Sequence, residues 1–296
     1  ISTSSDPTGT WKGFALTADS GKLMNDYPKI ASTPNAILMT ANLFSGGRSY
    51  AGVRVWAIDR DTLFSTSAAA GKVLRWDLGT GYFSLLPVNV EPTATAPSLV
   101  TVPMSGFTRW TARIPQKGST ETVDALGDRL MYQAQYVEDG SSFTILTSRT
   151  ATAGSYAGIR WSMFTRSNSA AHATGNYTAK VGTYGPSDST HRWMSSLAVN
   201  SKNEVAIGFS KSSSSTFPAL SVAGISNFAT GTSVDIAEWS KVGTGSQSGG
   251  YSRWGDYSSM TVDPDGCKFW FSTEYYSATG NNWQTWIQPV TLTSCP

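Results

Sequence analysis

Short stretches in which small or polar residues alternate with apolar ones recur along the chain. Near its end, Ser258–Val262 and Cys267–Phe271 both alternate in this way, and Asp263-Pro264-Asp265-Gly266 separates them. A period of two predicts β-strands, and the Asp-Pro-Asp-Gly sequence predicts a tight turn between them. Directly before this predicted hairpin lies a polar and aromatic cluster, Arg253, Trp254, Asp256 and Tyr257.

The cluster and the strand that follows it recur upstream. Met194–Val199 aligns with Tyr257–Val262 at an offset of 63 residues (194 to 257), and Arg129–Tyr132 aligns with Arg192–Ser195 at the same offset (129 to 192). Asp26–Lys29 matches the start of the same motif. Each repeat therefore consists of a polar cluster, an inner strand, a turn and further strands.

Repeats of three or four antiparallel strands, spaced by about 40 to 65 residues, predict an all-β fold of the β-propeller type, in which each repeat is one blade. The interpretation is a single domain, residues 1–296, with five blades near 26–86, 87–120, 124–183, 188–245 and 250–296. Residues 1–20 are predicted to add an outer strand that closes the ring and removes a free sheet edge. A two-sheet sandwich is the alternative, but it does not predict a polar cluster at the same place in every repeat.

The composition agrees with many short strands. The chain has 296 residues, of which 14% are charged and 11 are Trp, and this length can bury a large core in one all-β domain. The net charge of +2 argues against general nucleic-acid binding, which needs a concentrated basic face. There is no run of about 18 apolar residues, so no membrane-spanning helix is predicted.

The two cysteines, Cys267 and Cys295, allow a disulfide between the end of the chain and the strand after the Asp-Pro-Asp-Gly turn. Two free buried thiols are the alternative. A low lysine content and abundant Ser, Thr and Trp are typical of an extracellular protein, which favours the disulfide and secretion. Asn176-Tyr177-Thr178 is a formal glycosylation sequon. No signal peptide is visible and Ile1 falls inside what reads as an element, so we expect a processed or truncated product.

The cluster motifs resemble those of a broad, largely uncharacterised group of secreted bacterial-type β-propeller proteins. The resemblance rests on Asn25–Lys29, Leu126–Tyr132, His191–Met194 and Arg253–Ser259, and it continues through Cys267, Phe269-Trp270, Glu274-Tyr275-Tyr276 and Cys295. It covers almost the whole chain and implies a β-propeller fold without implying a particular activity. Members of the group commonly have further blade-like sequence before the segment that matches Thr3–Gly9. The ring therefore has five blades, or a separate N-terminal segment supplies two more.

Residues at corresponding ends of the inner strands of a propeller converge around its central funnel, and the recurring clusters lie at those positions. Arginine binds carboxylate or sulfate bidentately, Trp and Tyr offer flat faces to sugar rings, and Asp with His can transfer protons. We therefore predict one composite site for an acidic or otherwise polar saccharide. The candidate catalytic residues are His191, Asp256 and Asp128, and the candidate ligand-binding residues are Asp26, Tyr27, Lys29, Arg129, Arg192, Trp193, Arg253, Trp254 and Tyr257.

These clusters also have a structural interpretation. Asp, Arg and Trp at repeat boundaries often fasten one blade to the next through buried ion pairs and backbone hydrogen bonds. Under this interpretation Arg129 and His191 stabilise the junctions between blades and take no part in chemistry.

Two reactions fit the candidate residues. His191 would suit a lyase that removes a proton beside a uronate carboxylate, with Arg192 or Arg129 neutralising that carboxylate. The carboxylates Asp26, Asp128 and Asp256 would instead suit glycoside hydrolysis by acid and base, for which fold analogy is the main support. Sialidase-like catalysis is disfavoured, because the repeated Asp-box motif of sialidases is absent.

No metal or other cofactor is predicted. The two histidines, His191 and the loop residue His172, are far apart and have no paired cysteines, so a zinc site is not expected. Asp263–Gly266 lacks the further carboxylates of a calcium loop and is better interpreted as a turn. A calcium ion in the central channel is left open.

The sequence thus favours a secreted, extracellular, carbohydrate-active β-propeller that binds a polysaccharide with acidic residues at the funnel, and one version of this hypothesis includes cleavage by a lyase or hydrolase. A non-catalytic lectin-like or adhesive propeller is the alternative, and a structural or protein-binding ring is a third hypothesis. A lectin tends to repeat a complete pocket in every blade, whereas the cluster here differs between repeats, which favours one composite site. Neither nucleic acid nor a membrane is expected as a partner.

Overall fold

The computed structural model describes residues 1–15, 22–64, 72–90, 101–102, 112–167 and 177–295. Over these residues the chain is all-β, with nineteen strands and a single helix of five residues. Within that part of the chain, no helix is long and apolar enough to cross a membrane. The chain divides into two compact units, Ile1–Ser105 and Gly106–Pro296, and each is described by itself.

The first unit is built on one four-stranded antiparallel sheet with the strand order β1-β2-β3-β4. Its core includes the buried side chains of Leu38, Val53 and Val55, and Thr40 on β2 donates a hydrogen bond of 2.7 Å to the carbonyl oxygen of Leu85. The elements are β1 (Leu23–Ser32), β2 (Ala36–Ser45), β3 (Ser49–Asp59), α1 (Arg60–Phe64), β4 (Val73–Leu78), β5 (Leu86–Val90) and β6 (Thr101–Val102).

The second unit contributes four, four and three consecutive strands to three antiparallel sheets. The short pair β7 (Arg113–Ile114) and β8 (Val123–Asp124) precedes them. The first sheet has β9 (Met131–Asp139), β10 (Ser142–Ala153), β11 (Tyr156–Ser167) and β12 (Thr178–Tyr184). The second has β13 (His191–Val199), β14 (Val205–Ser213), β15 (Thr216–Ile225) and β16 (Ile236–Val242), and the third has β17 (Ser259–Val262), β18 (Phe269–Tyr275) and β19 (Gln284–Val290).

The sheets of the second unit pack face to face on apolar side chains. One cluster joins the first two sheets through residues such as Trp161, Leu197 and Phe209, and another joins the second and third sheets through Val222 and Phe271. The first strands of the three sheets, β9, β13 and β17, also contact one another. The strands that follow the polar clusters are therefore brought together at one place in the unit.

Side chains of these first strands also fasten neighbouring sheets to one another. The backbone N–H of Val199 donates to Gln135 Oε1 at 2.7 Å, and the backbone N–H of Met260 donates to Ser196 Oγ at 2.8 Å. Both pairs are 64 residues apart, one more than the sequence offset between repeats. β9 thus satisfies a backbone donor of β13, and β13 satisfies one of β17, so these contacts stabilise the packing of the sheets.

The aligned motifs also share a backbone irregularity. The pairing register shifts between Asp26 and Lys29 on β1, and between Trp193 and Ser196 on β13. Inside these shifts Tyr27 has φ 54° and Met194 has φ 50°, although a positive φ is uncommon for residues other than glycine. The same bulge at the same motif position supports the sequence alignment of the repeats.

The predicted closing strand is not formed by the described N-terminal residues. Residues 1–15 fold back on themselves, with a bridge between Ser2 and Trp11 and a hydrogen bond of 3.0 Å from the Thr3 N–H to the Thr10 carbonyl. Asp6 Oδ1 accepts hydrogen bonds from the backbone and side chain of Thr8, so Asp6-Pro7-Thr8-Gly9 acts as a turn. A turn therefore lies within the segment predicted to close the ring, and closure by residues 1–20 stays a prediction.

The sheets occupy residues 23–78, 131–184, 191–242 and 259–290, which correspond to four of the predicted repeats. The repeat predicted near 87–120 contributes only the short strands β5, β6 and β7 to the described residues, and the boundary between the two units falls within it. His172 and Asn176 lie outside the described residues. A single ring of five blades stays a prediction.

The disulfide between Cys267 and Cys295 is confirmed, with a Cα–Cα distance of 5.7 Å. It ties the chain end to the residue that precedes β18 by two positions. Nearby, the buried carboxylate of Glu204 accepts hydrogen bonds from the Ser294 N–H at 2.8 Å and from the Thr293 hydroxyl at 3.1 Å. The end of the chain is thus fixed to the second and third sheets.

Candidate functional site

A cavity of about 610 Å³ lies in the second unit, beside the third sheet. Its walls come from the segment Gln247–Tyr257, from the end of β18 and from the loop into β19. This is the end of the sheet at which β17 begins, so the cavity includes the Arg253–Tyr257 cluster. A volume of this size is typical of small-molecule sites in proteins.

The wall of the cavity next to the core is aromatic and rigid. Trp254 is buried and stacks on Tyr276, with ring centroids 5.2 Å apart, and Trp193 packs edge to face against Trp254 at 6.1 Å. The indole N–H of Trp254 donates to Ser210 Oγ at 3.0 Å. Packing on both rings and a hydrogen bond hold Trp254 in one orientation beneath the cavity.

The outer wall carries three exposed aromatic side chains. Tyr251, Tyr257 and Trp283 are exposed by 59%, 62% and 65%, respectively. Large aromatic groups at this exposure keep apolar surface in contact with water, and their grouping around one cavity marks a surface suited to binding.

Three buried polar atoms of the cavity-lining residues have no hydrogen-bond partner within the described part of the chain. They are Gln247 Oε1, Thr273 Oγ1 and Glu274 Oε1. Buried polar atoms are normally satisfied, because leaving one unpaired costs about 1–3 kcal/mol. Three such unsatisfied atoms therefore belong to residues that line one cavity.

Glu274 is the most perturbed acid of the cavity. Its Oε2 accepts a hydrogen bond of 2.8 Å from the backbone N–H of Gly255, whose φ of 58° turns the chain toward the end of β18. Burial raises the pKa of the Glu274 carboxyl group to about 7, and the nearby charge of Asp256 adds to the rise. Near neutral pH this group therefore exists in both its protonated and its ionised form.

Asp256 forms a bidentate ion pair with Arg253. The guanidinium Nε donates to Oδ1 at 3.2 Å, and a second N–H of the same group donates to Oδ2. The Arg253 side chain is 57% exposed and that of Asp256 is 18% exposed. The charges of Arg129 and Asp124 also act on Arg253, so cations and anions alternate along this edge of the cavity.

Asp128 and Arg129 pair with each other behind this edge. Arg129 Nε lies 2.8 Å from Asp128 Oδ1, and both side chains are about 10% exposed. Neither residue lines the cavity, although Arg129 is close enough to act on Arg253 electrostatically. The structure thus brings the Asp128–Arg129 cluster close to the Arg253–Tyr257 cluster. In each cluster the arginine forms an ion pair with an aspartate of the same cluster.

His191 lies at a strand junction away from the cavity. Its Nδ1 accepts a hydrogen bond of 3.1 Å from the backbone N–H of Ala157, and its ring packs edge to face on Tyr156 at 5.1 Å. Burial lowers the pKa of the imidazole. Because Nδ1 is an acceptor, the neutral ring carries its proton on Nε2, and the lone pair that a lyase base needs is already in use. The geometry supports the structural interpretation of His191.

Arg192 belongs to a buried charge network inside the second sheet. It lies 2.7 Å from Asp188 and 2.8 Å from Glu238, and Lys211 lies 2.6 Å from the same Glu238 carboxylate. Arg192 is 1% exposed, and its neighbour Trp193 is fully buried. Both side chains therefore stabilise the sheets, and neither presents a group to a ligand.

Asp26, Tyr27 and Lys29 lie on β1 of the first unit. Tyr27 and Lys29 are 5% and 4% exposed, and Lys29 Nζ lies 3.4 Å from the centroid of the Tyr27 ring. This cation–π contact gives both side chains a packing function within β1. The predicted meeting of this cluster with those of the second unit stays a prediction.

The sequence did not single out Glu274, Gln247, Thr273, Tyr251 or Trp283 as site residues. Glu274 belongs to the Glu274-Tyr275-Tyr276 segment on which the family resemblance partly rests, and this was the one sequence feature that pointed to it. Along β18 it shares a face with Trp270 and Ser272, where alternation predicts an ordinary surface position. The segment Gly243–Ser252 contains many small residues and reads as a loop, so its contribution to a cavity could not be inferred.

The described residues include no group of three or more His, Cys, Asp and Glu side chains arranged to hold a metal ion. At the Asp263–Gly266 turn, Asp263 accepts from the Asp265 N–H at 3.0 Å and from the Trp270 indole at 2.8 Å. Asp265 Oδ1 accepts from the backbone N–H groups of Cys267 and Lys268, the two residues before β18. These carboxylates cap the turn, as the sequence interpretation has it.

No protein-family model matches the chain, and no curated protein matches it in sequence. Solved structures with some likeness include a protein of unknown function from Dyadobacter fermentans, at 8% identity over 86% of this chain and 76% of that one, with a TM-score of 0.41. A thermostable family-43 glycoside hydrolase matches at 9% identity over 93% of this chain and 92% of that one, with a TM-score of 0.31. The Trypanosoma rangeli sialidase in complex with the inhibitor DANA matches at 10% identity over 90% of this chain and 36% of that one, with a TM-score of 0.35. TM-scores below 0.5 do not establish a common fold, so these likenesses carry no part of the functional argument.

Proposed function

We propose that the protein is a carbohydrate-active protein that binds a segment of a polysaccharide in the cavity beside its third sheet. The observation that carries the proposal is the combination of exposed aromatic rings, Tyr251, Tyr257 and Trp283, with three unsatisfied polar atoms on the residues of one cavity. The site uses Arg253, Trp254 and Tyr257 from the predicted ligand-binding set and Asp256 from the predicted catalytic set.

Saccharides have the two chemical features that these walls require. The C–H face of a sugar ring is apolar and packs on an aromatic ring, while its hydroxyl groups both donate and accept hydrogen bonds. Gln247 Oε1 needs a donor, and Thr273 Oγ1 can use a donor or an acceptor. An apolar ligand would leave these atoms unpaired, and a small ion would leave the aromatic rings uncovered.

The charges at the cavity do not select an acidic polysaccharide. Arg253 is paired with Asp256 and Arg129 with Asp128, so the two arginines are largely neutralised before any ligand arrives. Glu274 adds negative charge as the pH rises through about 7. We therefore extend the predicted ligand class from acidic polysaccharides to neutral ones, and we expect binding to depend weakly on salt.

The wider architecture is part of the same proposal. The three sheets of the second unit, with their first strands in contact, are proposed as blades of a β-propeller, and a ring of five blades or more is proposed for the whole protein. The disulfide supports an extracellular location. The lectin-like alternative uses the same cavity without chemistry. The release of new reducing ends from a bound polysaccharide distinguishes an enzyme from a lectin.

Affinity electrophoresis in gels that contain soluble polysaccharides tests the proposal. The gels would hold xylan, laminarin, glycogen, polygalacturonate or alginate, so that neutral and acidic chains are compared. We expect retardation of the wild-type protein by at least one polysaccharide and its loss in Trp283→Ala and Tyr251→Ala. The matched control is Trp239→Ala, which removes a 44% exposed Trp of β16 outside the cavity.

The outcomes separate clearly. Loss of retardation in the two cavity variants but not in the control supports the site. Equal retardation of all four proteins would place the binding surface elsewhere, and no retardation by any polysaccharide would count against carbohydrate binding.

A further inference from the structure

We propose that the cavity hydrolyses a glycosidic bond, with Glu274 as the proton donor and Asp256 as the base that activates water. This inference rests on the proposed saccharide binding and adds the reaction. It departs from the sequence-based hydrolase set of Asp26, Asp128 and Asp256, because Asp128 does not line the cavity and Glu274 does.

The position of the proton on Glu274 follows from its hydrogen bond. Oε2 accepts the N–H of Gly255, so in the protonated acid the hydrogen is carried by Oε1. Oε1 is the oxygen that has no partner among the described residues. In the protonated acid the hydrogen therefore lies on the oxygen that no described group satisfies, and the strand β18 fixes the position of that oxygen.

The two carboxyl groups have contrasting surroundings, as a donor and a base require. Glu274 is half-buried, with a single backbone donor to its carboxylate, and desolvation raises its pKa to about 7. Asp256 is held by two N–H groups of Arg253 in a bidentate ion pair. Two carboxyl groups with such different surroundings fit the two functions that glycoside hydrolysis requires.

The reaction balances with water as the second substrate. Glu274 gives its proton to the glycosidic oxygen as the bond from that oxygen to the anomeric carbon breaks, and the bonding electron pair stays with the oxygen. Water forms the new bond to the anomeric carbon and gives a proton to Asp256. The products are two shorter saccharides, one with a new reducing end, and solvent returns the proton from Asp256 to Glu274.

The test measures binding and cleavage on the same polysaccharide. The wild-type protein, Glu274→Gln, Asp256→Asn and the control Asp139→Asn would be incubated with the polysaccharide that retards the wild type. Asp139 is an exposed residue at the end of β9, outside the cavity. New reducing ends and the absorbance of unsaturated uronates would be followed together, and far-ultraviolet circular dichroism would check folding.

We expect the wild type and the control to release reducing ends without unsaturated product. Glu274→Gln should keep its retardation, because the amide oxygen can accept the Gly255 N–H, and should lose at least about 100-fold in rate. Asp256→Asn should likewise keep its retardation and lose at least about 100-fold in rate, and it leaves Glu274 in place. The wild-type rate should fall as the pH rises above about 7, since the donor is then ionised.

Two results would overturn the inference and leave saccharide binding standing. One is a polysaccharide that retards the wild type but gains no reducing ends, which would favour the lectin-like alternative. The other is a wild-type rate in both folded variants, or an unsaturated product. Absence of retardation would instead count against the proposed binding itself.

Discussion

Replacing Glu274 by Gln tests the electrostatics of the cavity without any knowledge of its ligand. The pKa of the Glu274 carboxyl group rises from an ordinary value of 4.5 to about 7 in the folded protein, mainly because of burial. Below the unfolded value both states are protonated and the group contributes nothing. Between pH 4.5 and 7 the unfolded state loses its proton first, so stability falls as the pH rises, and above about 7 the loss is complete.

The size of the effect follows from that shift. One pKa unit corresponds to 1.36 kcal/mol, so the ionised Glu274 lowers the free energy of unfolding by about 3 kcal/mol at pH 8. Glutamine is neutral at every pH and can keep the hydrogen bond from Gly255. The stability of Glu274→Gln relative to the wild type should therefore increase by about 3 kcal/mol between pH 4 and pH 8.

Urea unfolding followed by tryptophan fluorescence at pH 4, 6 and 8 measures this difference, because the titration of groups other than Glu274 largely cancels between the two proteins. Asp139→Asn serves as the control and should follow the wild type at each pH. A stability difference that stays constant from pH 4 to pH 8 would refute the assignment of a buried, perturbed acid to this position.

Three further predictions concern packing, the disulfide and charge. Gly208→Ala should lower the free energy of unfolding by about 1–3 kcal/mol, because the added Cβ would clash with the Phe271 ring. The control Gly81→Ala has open space around the added Cβ and should change the free energy of unfolding little. Chemical denaturation of both variants measures the difference. Reduction of the disulfide, or Cys295→Ser, should cost about 2–4 kcal/mol, measured as a lower urea midpoint, and an unchanged midpoint would contradict its structural function. Retardation by the best polysaccharide should change less than about threefold between 50 and 500 mM NaCl, since Arg253 in the cavity and Arg129 near it are already paired, and a steep loss would restore the acidic-ligand prediction.

The repeated strands could be predicted because their signal is local. Alternation around the Asp263–Gly266 turn follows from the two-residue period of a strand, and Met194–Val199 recurs as Tyr257–Val262. The motifs on β1 and β13 also share a bulge. The N-terminal segment lacked such support. There, Asp6-Pro7-Thr8-Gly9 forms a turn that outweighs the weak alternation around it.

The site could be predicted only in part, because burial and pairing are properties of the fold. The sequence placed Arg253, Trp254 and Asp256 together, and these residues do line the cavity. It could not distinguish the buried, network-bound Arg192 from the exposed Arg253, since both are arginines in equivalent clusters. Glu274 is a charged residue on a strand, and its unusual acidity depends on the side chains that cover it.

The most direct test of the central claim is a crystal structure of the protein with an oligosaccharide from the polysaccharide that binds best. We expect a sugar ring in the cavity beside the third sheet, packed on Trp283 or Tyr251, with hydroxyl groups in hydrogen-bond range of Gln247 Oε1 and Thr273 Oγ1. An oligosaccharide bound at another surface, with this cavity unchanged, would contradict the claim.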